Sequence, residues 1–409
     1  MVVTLDMYAS AGLGVVALLL GMFFTRKIAF LKRYCIPAPV SGGLLVSVLT
    51  LLLYILFGVE CSFDGTVKDL CMMLFFTSVG FQCDLKELRR GGRPLVVLTA
   101  LVAVLIVAQN LISLGIARGL GVDPLVGMAS GSIPMSGGHG TSGGFAPLLE
   151  QMGLTGASSI TMAAATFGLV AGSLLGGPLG ESLIRRHHLA QPSASDNVLA
   201  SIEAGEASAS ASQVRKLSKE DAFRGYLIGA CLLMIAMALG AGVSRLLALT
   251  GITFPTYFGS LLTACALRNI FGLFPKWSSK VSVGEVVSIG DICLQLFLGM
   301  AMASLRLWEL ASLALPLALI LLAQVAFMAV YAAFVAFPLL GRSYDSAVMV
   351  SGLCGFGLGA TPNAMANMSA VCFKYRYAVN PFIVVPIIGA MFLDIINTGV
   401  VTLFLNIIH

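Results

Sequence analysis

Charge is what this sequence most lacks: only 11% of its 409 residues are Asp, Glu, Lys or Arg, against roughly a quarter in an average soluble domain. Together with 58% hydrophobic residues and a mean hydropathy of +0.96, that scarcity excludes a water-solvated globule, and most of the chain must face lipid. The nine cysteines include no Cys-x-x-Cys pair and no His at ligand spacing, which removes a zinc or disulfide framework. No Lys or Arg precedes the first apolar run, where Asp6 stands instead, so Met7 to Thr25 reads as a first span rather than a signal with a basic head. The net charge of +5 does not point to nucleic acid, because membrane orientation alone demands cationic loops.

Apolar runs of about 20 residues, the length that crosses a bilayer, lie near 7–25, 38–57, 94–117, 157–184, 224–248, 254–272, 311–337 and 381–405. Shorter runs near 67–83 and 285–305 bring the expected spans to ten. With both termini outside, every one of the 24 Lys and Arg falls in the cytoplasm except Lys68, Arg118, Arg245 and Arg306, the asymmetry that sets orientation. Two more apolar segments, about 124–148 and 345–369, are rich in Gly. Were they to span, the cations of the 185–224 loop would move outside, so they are expected to be re-entrant hairpins enclosed by protein. The Ser- and Ala-rich stretch from about 187 to 221 reads as a cytoplasmic linker.

Sliding the chain against itself by 222 residues matches Asp69 with Asp291, Cys71 with Cys293, Leu74 with Leu296, Phe75 with Phe297 and Pro94 with Pro316, among others. A similar offset lays Gly137 and Thr141 on Gly357 and Thr361. The expected fold is therefore an all-α polytopic membrane protein, an inverted repeat of five transmembrane helices plus one re-entrant hairpin each. The first copy covers 1–185, the linker 186–222 and the second copy 223–409. Five crossings are an odd number, so the copies enter the membrane in opposite senses. Lys86, Arg89, Arg90 and Arg93 accordingly correspond to the uncharged Trp308, Ala311, Ser312 and Leu315 in the second copy. Inverted repeats with broken helices at the midplane are a transporter architecture.

The hairpin tips are the candidate binding site: Ser136, Gly137, Gly138, His139, Gly140 and Thr141 in the first, Gly357, Gly359, Ala360, Thr361 and Asn363 in the second. Glycines let a ligand reach the main chain, and half-helix N-termini aim N–H groups at an anion. Tight helix packing is the competing explanation for any single glycine. Asp394, midway along the last span, is a functional candidate because a carboxylate at that depth costs several kcal/mol unless partnered. With Asn397 one turn on it suits a hard cation such as Na+, although a proton carrier or a bond to a neighbouring helix is also open. Thr166 and Gln109 are further candidate sodium ligands; they, Asn110 and Gln324 also suit interhelical hydrogen bonding. Asp69 and Asp291 are read as first-turn helix residues. Ser136 and His139 have no orienting acid nearby in sequence, so a hydrolase is unsupported.

The sequence resembles the bacterial sodium/glutamate symporter family over nearly its whole length. The likeness is carried by Ile36 to Leu45 (IPAPVSGGLL), Ser136 to Thr141 (SGGHGT), Ala165 to Val170 (ATFGLV), Leu307 to Pro316 (LWELASLALP), Cys354 to Pro362 (CGFGLGATP) and Gly389 to Asn397 (GAMFLDIIN). The resemblance implies uptake of glutamate driven by Na+ as the coupling ion, with no organic cofactor, in a multi-pass protein of the inner membrane. It also implies a homodimer and an elevator-like motion. A carrier of citrate or another hydroxycarboxylate is the nearest alternative. Pro134 and Asn363 stand where the family leads one to expect hydroxyl-bearing or small residues.

Overall fold

A computed structural model describes residues 2–34, 36–84, 92–189, 219–273 and 283–408. The linker expected from 186 to 222 lies mostly outside these, as do the repeat positions Leu85, Glu87 and Leu88. Eight helices are long and apolar enough to cross a membrane. The fold is a helical, polytopic membrane fold.

The first half begins with α1 (Met7–Lys27), capped by the Asp6 side chain, which accepts from the Ala9 N–H at 2.8 Å. After a short α2 (Ala29–Arg33), α3 (Ala38–Phe57) starts behind Pro37 and stops at Gly58, whose left-handed φ of 63° suits a C-terminal cap. Two strands not anticipated from the sequence, β1 (Val2–Leu5) and β2 (Glu60–Phe63), pair in parallel beyond these helices. Then come α4 (Thr66–Gln82), α5 (Gly92–Gly119), a broken segment α6 (Pro124–Ala129), α7 (Ser132–Met135) and α8 (Gly138–Gln151), and α9 (Ala157–Arg186). The second half has α10 (Lys219–Ala248), α11 (Phe258–Phe271), α12 (Val283–Ala303) and α13 (Ala314–Leu339). A second broken segment follows, α14 (Tyr344–Gly357) and α15 (Thr361–Lys374), and then α16 (Val379–Ile408).

Two of the ten expected spans are short helices. Thr66–Gln82 has 17 residues and Phe258–Phe271 has 14; the first ends at Cys83, whose N–H turns back to the Gly80 carbonyl, and the second begins only after a turn in which the Phe258 N–H donates to the Pro255 carbonyl. Asp291 also differs from its expected place. It lies well inside α12, which begins at Val283, whereas Asp69 is in the first turn of α4 as read from the sequence.

The helices sort into two bodies. The first three long elements of each half, α1, α3, α4 and α10, α11, α12, pack mainly on one another. The remainder, α5 to α9 and α13 to α16, form the second body. In the first, Gly21 and Gly42 let α1 and α3 touch so closely that any side chain there would strike the Ala38 or Ala17 carbonyl. In the second, α9 presents Gly168, Gly172, Gly176 and Gly180, four residues apart on one face, to the broken pair α14 and α15. A Cβ at Gly172 would sit 3.0 Å from the Cys354 carbonyl. The bodies face each other where α4 and α12 oppose α8 and α16.

Candidate functional site

Both broken segments open toward the line where the bodies meet. The first is interrupted twice, at Ser130–Gly131 and at Ser136–Gly137, rather than at the one tip expected. The Ser132 N–H, freed by the first interruption, donates to Asn110 Oδ1 at 2.9 Å, and the Ser132 carbonyl, which also accepts from the Ser136 and Gly137 N–H groups, accepts from Asn397 Nδ2 at 3.1 Å. Such substitution lets irregular backbone persist at membrane depth. The second segment breaks at Leu358–Ala360, and Pro362 stands in the first turn of α15.

The two tips touch. Gly138 has φ of 62°, and a Cβ there would lie 2.8 Å from the Gly359 carbonyl oxygen, so only glycine fits both the conformation and the approach. α8 starts at Gly138 and α15 at Thr361; the first-turn N–H groups of any helix lack intrahelical partners and carry its positive dipole end.

A cavity of about 340 Å³ adjoins the tips. Of the candidate residues, Ser136, Gly137, Gly138, His139, Gly140, Thr141, Gly359, Ala360, Thr361, Asn363 and Asp394 line it. Gly357, Gln109, Thr166 and Asn397 do not; they are joined to the tips from behind. Gln109 Nε2 donates to the Gly357 carbonyl at 2.7 Å while its Oε1 accepts from the Ser136 hydroxyl at 2.7 Å. Gln324 in turn donates to the Gln109 carbonyl at 2.7 Å. The Thr166 hydroxyl donates to the Met162 carbonyl at 2.9 Å. Toward His139 Nε2, 3.0 Å away, it therefore accepts, which assigns the ring proton to Nε2.

Thr141 donates to Asp394 Oδ1 at 3.1 Å, which sets the first tip against the last helix. Asp394 follows a π turn, Ile388–Phe392, within α16; such turns recur at functional sites. Gly389 in that turn leaves room for the Thr361 side chain. Asn363 Oδ1, Asn397 Oδ1 and Ser132 Oγ are buried without a hydrogen-bond partner, and the Thr361 hydroxyl has none among the described residues. Of these residues, Asn363 and Thr361 line the cavity.

Among the lining residues that the sequence did not place at the site are Pro37, Gln82, Asp291 and Gln295, all from the first body. Asp291 and Gln295 are four residues apart, hence on one face of α12, and that spacing was the available signal. No Lys or Arg is among the residues lining the cavity. On its far side the ring of Phe297 occupies the space a side chain on Gly143 would need, and Phe76 stacks on Tyr257 at 3.6 Å. Phe297 and Gly143 line a second cavity of about 390 Å³, with Lys68, Glu150 and Arg306 among others.

Residues 3–377 match the family model described as sodium/glutamate symporter. The chain belongs to that family. A sodium/glutamate symporter of Escherichia coli (strain K12) is 40% identical to it over 405 residues, 98% of this chain and 98% of its own length. One from Haemophilus influenzae is 35% identical over 407 residues, 99% of this chain and 98% of its own. Among solved structures, a sodium proton antiporter from Methanocaldococcus jannaschii aligns over 99% of this chain and 98% of its own at 16% identity and a TM-score of 0.44, too distant a likeness to assign elements from. Family membership and the eight apolar helices make this chain a multi-pass membrane transport protein.

Proposed function

We propose that this chain imports L-glutamate with Na+ across the bacterial inner membrane. The observation that carries the reading is the contact of Gly138 with Gly359 beside a cavity free of Lys and Arg, in a member of a family named for this transport. The substrate's carboxylates are held by the first-turn N–H groups of α8 and α15 with Ser136, Thr141 and Thr361. The Thr361 hydroxyl is free to donate, whereas Ser136 and Thr141 exchange Gln109 and Asp394 for substrate. Na+ is bound by Asp394 and Asn397, hard oxygen ligands for a hard cation; the unpartnered Asn397 Oδ1 supports this. Gln109 and Thr166 contribute by holding Ser136 and His139.

The topology that belongs to this reading has ten crossings, two hairpins entering from opposite sides, both termini outside and the central linker in the cytoplasm. One feature supports an inverted repeat: each body takes the same three elements from each half. Transport is a sliding of the second body against the first, which also forms the homodimer contact. In this arrangement the bodies are tied by Thr253 with Asn406 and Ser159 with Arg306 toward their outer ends, and by Tyr257 with Thr398 deeper in. Pro37 and Gln82 line the cavity at what are, in this topology, the cytoplasmic ends of their helices, and the reading takes this arrangement as inward-open. Coupling follows if ion and substrate each complete the other's site.

Uptake of labelled glutamate into proteoliposomes tests the reading. Accumulation is expected only under an inward Na+ gradient, with citrate a poor competitor; uptake indifferent to Na+, or citrate competing as well as glutamate, refutes it.

A further inference from the structure

The tips and helix ends account for a substrate's carboxylates, but an amino acid also carries an ammonium group. Asp394 is engaged by Thr141 and assigned above to the coupling cation. The cavity's other carboxylate is Asp291. It belongs to α12, in the body opposite the tips, nine residues into a helix of 21 residues. It makes no ion pair or hydrogen bond among the described residues, and neither does Gln295 one turn on. Asp291 is exposed where it lines the cavity, so this carboxylate, set well inside a membrane helix, is open to a cationic partner arriving from solution. Two cations reach a sodium-coupled amino-acid site, the ion and the ammonium, and two carboxylates line this one.

We infer that Asp291 receives the ammonium group of the amino-acid substrate, and that it is the residue by which this cavity tells an α-amino acid from a plain dicarboxylate. An ammonium has three protons to donate. The Asp291 carboxylate takes the charge-assisted bond, and Gln295 Oε1 together with the unpartnered Asn363 Oδ1 supplies neutral acceptors from both walls. Since Asp291 and Asn363 lie in different bodies, a substrate bound this way bridges them in the cytoplasm-open arrangement. When the second body slides, the tips keep the carboxylates and Asp291 is left behind. The ammonium contact therefore belongs to one side of the cycle.

The inference rests on the reading that the chain carries glutamate, and the test separates the two. Glutamate and glutarate, the same dicarboxylate without the amino group, are titrated against the purified full-length protein at saturating Na+, with wild type, Asp291→Asn and Asp291→Glu. Wild type is expected to prefer glutamate strongly. Asp291→Asn is expected to lose about 10- to 100-fold in glutamate affinity and under about 3-fold for glutarate, with the Na+ midpoint unmoved, and Asp291→Glu to keep most of the preference. Equal losses for both ligands, or a shifted Na+ midpoint with the preference intact, would overturn the inference by making Asp291 a structural or an ion-binding group. If Asp291→Asn does not fold, Gln295→Leu takes its place, with a smaller loss confined to glutamate expected and no selective loss contradicting the proposal. Wild type that binds no glutamate at all sinks the transport reading instead.

Discussion

The Thr141 hydroxyl donates to Asp394 Oδ1 across 3.1 Å, joining residues 253 apart in sequence and tying the first broken segment to the last helix. The bond makes the occupant of Asp394 known to the first tip. In the proposed cycle a sodium ion takes the place of the hydroxyl at Asp394 and frees Thr141 to turn toward an anion. This is a physical route by which one ligand prepares the site for the other.

Asp394→Asn keeps the size of the side chain and removes its charge. The expected result is a Na+ dependence weakened by at least tenfold in midpoint, with glutamate recognition at saturating Na+ much less affected. A Na+ titration of uptake checks this, and an unchanged titration contradicts it.

Thr141→Ala removes a hydrogen bond to a charged group, a loss of about 1.5 to 3 kcal/mol. Both the Na+ midpoint and the glutamate KM are expected to rise, because one hydroxyl serves both ligands in turn. A rise in only one of them argues against that exchange.

Gly138→Ala forces a Cβ into a left-handed residue, costing ~1–2 kcal/mol, and pushes it toward the Gly359 carbonyl 2.8 Å away. Thermal unfolding of the purified protein should shift by only a few degrees while transport falls steeply, because the tips must part. Full activity in this variant would mean that the two tips need not touch.

Gln109→Leu leaves the Gly357 carbonyl and the Ser136 hydroxyl without their 2.7 Å partners, at about 1 to 3 kcal/mol for each buried group. Glutamate affinity should drop while the Na+ midpoint moves little. The reverse pattern would assign Gln109 directly to the ion.

Ser159 Oγ accepts from the Arg306 N–H at 3.1 Å, linking the two bodies at the end opposite the Pro37 mouth of the cavity. A Ser159→Cys, Arg306→Cys pair, once oxidised, should stop uptake, and reductant should restore it. Undiminished uptake in the oxidised protein means that the bodies do not slide.

Much of this arrangement was legible in the sequence. Glycine runs flanked by apolar residues marked both interrupted segments, because such runs cannot continue as lipid-facing helix, and Asp394 announced itself as a charge inside an apolar run. The rest depended on partners far away in the chain. Asp291 was read as a first-turn residue, whereas α12 already begins at Val283, eight residues earlier. Its place at the cavity follows from the opposing body, which local pattern does not encode. The strands Val2–Leu5 and Glu60–Phe63 are four residues each, too short for alternation to register, and parallel pairing is non-local. The π turns in α13 and α16 insert a residue without a compositional mark. Gln109 was recognised as either glue or ligand; only its two 2.7 Å bonds to the tips show which contacts it makes.

The central claim is that ion and glutamate share one site formed where the tips meet. Calorimetric titration of purified protein with glutamate at a series of Na+ concentrations, and with Na+ at a series of glutamate concentrations, tests it most directly. The account predicts that each ligand tightens the other, by the same factor in both directions, as linkage requires. Glutamate affinity that is independent of Na+ would contradict it.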